Sequence, residues 1–137
     1  MTYELPIERG KIREFARAVQ SRDPAHQGAD AVVPPTYLTI GRLLWEPREE
    51  NPLASIDIDL RRILHGEEEY VFHGPPPRAG QTLTVSTRID RQWEKEGKRG
   101  GTMRFVLVVN EFRDERGELV AEQRSTLVQT SKAAKEG

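Results

Sequence analysis

The sequence predicts an α+β domain in which an antiparallel sheet packs on a helix. Two segments with helical spacing of apolar residues come first, and three strand-length alternations follow with no helix between them. The connections between those strands, Gly97-Lys98-Arg99-Gly100-Gly101 and Asp114-Glu115-Arg116-Gly117, carry the glycines that hairpins need. At 137 residues the chain has the length of one domain.

Over residues 7–20, Ile12, Phe15, Ala16 and Val19 fall on one helical face, while Glu8, Lys11, Arg13, Glu14 and Arg17 turn outward. Asp23-Pro24 is expected to end that helix. Residues 27–30 are small and form a short loop. Over residues 36–45, Tyr37, Ile40, Gly41, Leu44 and Trp45 recur at i, i+3, i+4, i+7 and i+8, a second helix with Pro34-Pro35 at its mouth. Gly41 in its middle costs about 1 kcal/mol relative to Ala and implies close approach of another backbone.

Residues 47–52 read as a charged linker with a proline at each end, and Ile56, Ile58 and Leu60 alternate with Asp57 and Asp59 in a short extended piece. A strand over residues 67–73 is stopped by Gly74-Pro75-Pro76-Pro77. In the next strand Leu83, Val85, Ile89 and Trp93 alternate with polar residues. Met103, Phe105, Leu107 and Val109 share one face of a strand over residues 102–113, and the last strand covers residues 119–130. The domain therefore spans residues 1–130, followed by an Ala/Lys-rich frayed tail at 131–137.

Composition narrows the function classes. A formal net charge of −1 and a pI near 6.3 give no electrostatic footprint for nucleic acid or a membrane surface. Cysteine is absent, which excludes disulfides and thiolate catalysis. No apolar run approaches the ~20 residues that span a bilayer, and the N-terminus has no signal-peptide h-region, so a cytoplasmic protein is expected. The sequence has no H-x-x-H, H-E-x-x-H or clustered carboxylates at metal-ligand spacing, and no G-x-G-x-x-G or Walker motif. Neither a metal nor a cofactor is expected. Arg99-Gly100-Gly101 could touch a phosphate, but the hairpin requires those glycines in any case.

General-base work near neutral pH leaves three candidates, His26, His65 and His73. His26 stands at a helix-to-loop corner. His65 precedes a strand and reads as structural, and His73 abuts Gly74-Pro75 and reads as an exposed turn residue. Glu67, Glu68 and Glu69 alternate faces on a strand, so adjacent ones do not converge.

The run Val19-Gln20-Ser21-Arg22-Asp23-Pro24-Ala25-His26 resembles the D-x-N-P-L-H signature of the MaoC-like (R)-specific enoyl hydratases and 3-hydroxyacyl dehydratases. His26 falls on the catalytic His, Asp23-Pro24 on Asn-Pro, and Ser21 on the catalytic Asp. Val32-Val33-Pro34-Pro35-Thr36-Tyr37-Leu38 falls on the start of that family's central helix, where a Gly N–H polarises the thioester carbonyl. Pro35 takes that position and has no N–H to donate. With Arg62-Ile63-Leu64-His65-Gly66-Glu67-Glu68-Glu69-Tyr70, the pattern is most similar to the non-catalytic subunits of the superfamily, such as those of mycolate-pathway hydroxyacyl-ACP dehydratases. It covers residues 3–130.

The resemblance implies a single hot-dog domain, with an antiparallel sheet wrapped around a central helix, in a dimer of hot dogs. It implies a substrate-binding subunit of a heteromeric enoyl-CoA or enoyl-ACP hydratase, taking an acyl-CoA or acyl-ACP thioester and paired with a catalytic hot-dog subunit. The reaction is reversible syn addition of water across a trans-2-enoyl thioester. Pro35, Tyr37, Ile40, Gly41, Leu44, Trp45, His65 and Gly66 would line the substrate tunnel, with His26 the one candidate catalytic group. Two alternatives stay open: an active homodimeric hydratase using His26 with an acid from elsewhere, and a hot dog that holds an acyl thioester without turning it over. Hot-dog thioesterases need a central-helix carboxylate, and residues 36–45 contain none.

Overall fold

The computed structural model describes residues 1–98 and 100–131; Arg99 and residues 132–137 of the expected tail lie outside the described residues. Five strands form one antiparallel sheet: β1 (Thr2–Pro6), β2 (Ile63–Phe72), β3 (Thr82–Glu96), β4 (Thr102–Arg113) and β5 (Leu119–Gln129). Their spatial order is β1-β3-β4-β5-β2. The meander β3-β4-β5 is the one the alternation and the glycine turns predict. β1 is an addition to that reading. Tyr3 and Leu5 alternate with Glu4 and pair with Val85 and Leu83, but five residues are too few for periodicity to distinguish a strand from loop.

One face of the sheet is the inside of the molecule. Leu83 and Val85 of β3, Val106, Val108 and Phe112 of β4, and Ala121 and Leu127 of β5 are buried there. They sort into two apolar clusters. One gathers Leu5, Ile12, Tyr37, Leu38, Val85 and Phe112; the other gathers Val106, Val108 and Leu127 with Leu53, Ile56 and Ile58. A bulge between Ile89 and Arg91 reverses the alternation in β3. Trp93 therefore lies on the opposite face from Val85, stacked on Phe105 with ring centroids 5.2 Å apart.

α1 (Arg9–Ala18) buries Ile12 and Ala16 and sets Phe15 edge-on against Tyr37 at 5.5 Å. It ends before the expected Asp23-Pro24 stop. The Ser21 N–H donates to the Ala16 carbonyl at 2.8 Å and the Gln20 N–H to Arg17 at 3.1 Å, with Gln20 at φ 60°. This is a Schellman closure with glutamine in the left-handed position that glycine usually fills. Asp23 instead caps the next turn, Pro24–His26, by accepting from the Ala25 N–H at 2.9 Å.

The expected helix over residues 36–45 is also corrected. Tyr37–Thr39 is a 3₁₀ turn and Gly41–Trp45 a π-helical turn, closed by the Glu46 N–H donating to the Gly41 carbonyl at 2.9 Å. The 3.6-residue projection fails across that change of pitch. Tyr37, Leu38, Ile40 and Gly41 face inward, whereas Leu44 is 59% exposed and Trp45 43%. Residues 56–60 are likewise not a strand: they lie between 3₁₀ turns at Pro52–Ser55 and Leu60–Arg62. No helix among the described residues is long and apolar enough to cross a membrane.

Substituting Gln20 by Gly removes the left-handed strain at the α1 closure. We expect Gln20→Gly to stabilise the chain by about 1 kcal/mol, read as a higher midpoint in urea with an unchanged slope; a neutral or destabilising result would contradict the closure.

Candidate functional site

His26 is held, not free. It sits on the 3₁₀ turn after α1, only 8% exposed, with Nδ1 2.8 Å from the Val32 carbonyl oxygen. A carbonyl only accepts, so Nδ1 carries the proton and the neutral ring keeps its lone pair on Nε2. That is the tautomer of a general base. What a base would need beside it is missing. Ser21 spends its hydroxyl as acceptor for the Asp23 N–H at 3.4 Å, Asp23 is turned to its cap, and no carboxylate bonds the ring among the described residues. Pro35 is exposed at the mouth of the 3₁₀ turn.

Apart from Pro35, the candidate tunnel residues divide into three places. Tyr37, Ile40 and Gly41 are buried in the cluster beneath β1. Burial pushes the Tyr37 phenol up to about 12, the Glu8 backbone acting in the opposite sense. Gly41 does admit a close neighbour, but it is a side chain rather than the backbone expected: a Cβ there would lie 2.7 Å from the Tyr3 hydroxyl oxygen. That hydroxyl is buried without a hydrogen-bond partner among the described residues, and burial, then the Glu46 carboxylate, drives its pKa upward against the pull of Arg42. Leu44 and Trp45 stand outside with Leu43, and His65 and Gly66 lie at a bulge in β2. His73 bonds Glu122 through Nε2 at 2.8 Å.

A polar feature that sequence reading missed lies between the two apolar clusters. Thr87, Asn110, Gln123 and Tyr70 are register partners in one row across β3, β4, β5 and β2. Asn110 is 3% exposed and Gln123 1%. The Thr87 hydroxyl donates to Asn110 Oδ1 at 2.6 Å, Asn110 Nδ2 to Gln123 Oε1 at 3.2 Å, and Gln123 Nε2 to the Tyr70 hydroxyl at 3.1 Å and to Glu68. Arg42 closes the row from the π turn, donating to Ser125 Oγ at 3.3 Å and pairing with Glu68 at 3.6 Å. The signal was present in the sequence as polar residues at the inward parity of three strands. Over this row the segment from Leu43 to Leu60 forms a groove of about 470 Å³ with Leu53, Ile56 and Ile58 in its wall. An apolar cleft with a few placed polar groups is the usual form of a small-molecule site.

Residues 2–123 match the family model described as FAS1-like, dehydratase domain region. The chain belongs to that family. It is 30% identical over 132 residues to a UPF0336 protein of Saccharopolyspora erythraea, covering 89% of this chain and 80% of that one. A UPF0336 protein of Mycolicibacterium paratuberculosis is 36% identical over 101 residues, 66% of this chain and 56% of the other. Among solved structures, the truncated HadBC (3R)-hydroxyacyl-ACP dehydratase complex of Mycobacterium tuberculosis matches with TM-score 0.75 and 26% identity over 93% of this chain and 94% of that chain. A MaoC-like dehydratase matches at 0.77 and 25%, covering 94% of this chain and 40% of that chain. The architecture is thus the α+β hot dog of the MaoC-like dehydratases, with its central helix reduced to the turns at residues 37–45.

The Tyr3–Gly41 contact is testable. Gly41→Ala should destabilise the chain by about 1–3 kcal/mol, since the hydroxyl is fixed on a ring that cannot yield cheaply. In a Tyr3→Phe background the nearest remaining Tyr3 ring carbon is at 3.6 Å, so the cost should fall well below that. Equal costs in both backgrounds, measured by chemical denaturation, would refute the contact.

Proposed function

We propose that this chain is the substrate-binding, non-catalytic subunit of a heteromeric (R)-specific enoyl-thioester hydratase, or 3-hydroxyacyl dehydratase, acting on acyl-CoA or acyl-ACP. The observation that carries the reading is the His26 corner: a ring held by the Val32 carbonyl with no carboxylate bonded to it among the described residues, while Ser21 and Pro35 occupy the motif positions at which the resembled family has its acid and its N–H donor. Protonating or deprotonating the substrate carbon requires a base aligned with a water and a donor at the thioester oxygen. This corner provides an imidazole and neither of the groups that would align a water with it or hold the thioester oxygen. A partner subunit supplies the rest, a reading supported by the likeness to HadBC, which is itself a complex.

Two surface features support a hot-dog partner. β2 is a ten-residue edge strand, exposed over most of its length, and long unpaired edges invite strand addition. Leu43, Leu44, Trp45, Leu60 and Leu64 are large apolar side chains left exposed. The partner is the catalytic hot-dog subunit, and the tunnel lining includes Tyr37, Ile40, Gly41, Leu44 and Trp45 once the complex covers the exposed pair.

The purified chain alone should hydrate crotonyl-CoA and longer trans-2-enoyl-CoA at least about 10²–10³-fold more slowly than an ordinary hydratase, the loss expected from one absent oxyanion donor. Adding the catalytic subunit should restore turnover that His26→Ala in this chain leaves intact. Turnover at ordinary rates by the lone chain, abolished by His26→Ala, would replace this reading with an active homodimer.

Trp45→Ala provides a second test. In the lone chain it should cost less than the ~3–5 kcal/mol of a core aromatic, because the ring is partly in solvent. It should also weaken association with the partner subunit by light scattering or titration. A full core-sized loss of stability with unchanged association would remove Trp45 from the interface.

A further inference from the structure

The floor beneath the apolar groove is mixed, with buried polar groups set among apolar ones. Arg42, Glu46, Asn51 and Leu53 line both the groove and a smaller pocket of about 50 Å³ beneath it, where Thr87, Asn110 and Ser125 lie beside Val108 and Leu127. That volume holds a water or two, or one oxygen-bearing group of a ligand.

The donors on the pocket base exceed their partners. Asn110 Nδ2 carries two hydrogens, and one of them goes to Gln123 Oε1. Ser125 Oγ accepts from Arg42, and its own hydrogen has no acceptor among the described residues. One N–H and one O–H therefore remain at residues 3% and 2% exposed, and buried donors are costly unless something accepts from them. The charges around them oppose an anion. Arg42 is already paired with Glu68, and the Glu46 carboxylate, held by Asn51, forms part of the wall. A neutral oxygen fits this environment and a carboxylate does not.

We propose that groove and pocket together select an acyl chain bearing a neutral oxygen, a ketone or a hydroxyl, along its length, with Asn110 and Ser125 as the specificity-determining residues. The apolar segment lies against Leu53, Ile56 and Ile58, and the oxygen accepts from the two spare donors below. This rests on the acyl-thioester reading above and narrows its substrate class. All the residues concerned belong to one chain, so the isolated protein carries the site.

The test is calorimetric titration of the purified full chain with dodecanoyl-CoA and with a set of oxododecanoyl-CoA positional isomers. One isomer should bind about tenfold more tightly than the plain chain, the effect of one good net hydrogen bond. That ratio should fall to about one in Asn110→Leu and in Ser125→Ala. Ser125→Ala keeps the Arg42–Glu68 pair and is the milder variant, with cooperative thermal unfolding as the check that it folds. If plain and oxo chains bind alike, the pocket holds only water and the selectivity proposal fails while acyl binding stands. A preference that survives both variants also overturns it. Binding of neither class would defeat the acyl-thioester reading itself, and this inference with it.

Discussion

Asn110 is the residue on which the interior depends. It stands in the middle strand of the meander, accepts from Thr87 on one side and donates to Gln123 on the other, and lies between two apolar clusters that do not merge. An amide in such a place costs about 1–3 kcal/mol for each group left unpaired, so the sheet must align β3, β4 and β5 with these side chains opposite one another. A slip of one residue would turn the whole row to the other face and bring Glu111 and Arg124 inside. The row thus acts against alternative registers as well as within the native one. Arg42 and Glu68 extend the same logic to β2 and to the π turn, binding the helical segment to the sheet by charge where packing is thin.

The strands that pair over many residues were legible because alternation averages well over ten or more positions. β4 begins and ends where the pattern says. What failed had a local cause each time. The bulge beside Asp90 reverses parity, so Trp93 left the face that Val85 occupies. The change from 3₁₀ to π pitch around Gly41 turned Leu44 and Trp45 away from the face shared by Tyr37 and Ile40. Neither event has a strong single-residue signature. That His26 follows α1 at a turn was legible from spacing, but its burial and its bond to the Val32 carbonyl depend on how residues 27–31 fold back, and spacing does not encode that. The polar row was legible in principle. Thr87, Asn110, Gln123 and Ser125 occupy core parity in strands whose other inward residues are apolar, a conflict between local and global pattern that usually marks function.

The short helical segment and the groove have one physical origin. A long α-helix laid across the concave face would fill the space above Val106, Val108 and Leu127. Here the helix stops at Trp45, bounded by Pro47, and residues 46–62 cover that half of the sheet with 3₁₀ turns. Such turns present Leu53, Ile56 and Ile58 inward without packing them as closely as a helix would, and the unfilled volume is the groove.

That origin also separates the groove from the His26 corner within the chain. The His26 corner is fixed by the closure of α1 and by Val32, whereas the groove is fixed by Arg42, by Asn51 and by the polar row. The two regions share the turns at residues 37–45 but no hydrogen bond among the described residues. A chain built this way can lose the acid and the oxyanion donor at one corner without disturbing the cleft at the other, because no strand register or cluster depends on Ser21 or Pro35. On the proposed reading, the shape of the groove's apolar wall and the donors at its base would decide which thioester is presented, while groups on the partner would set the catalytic rate.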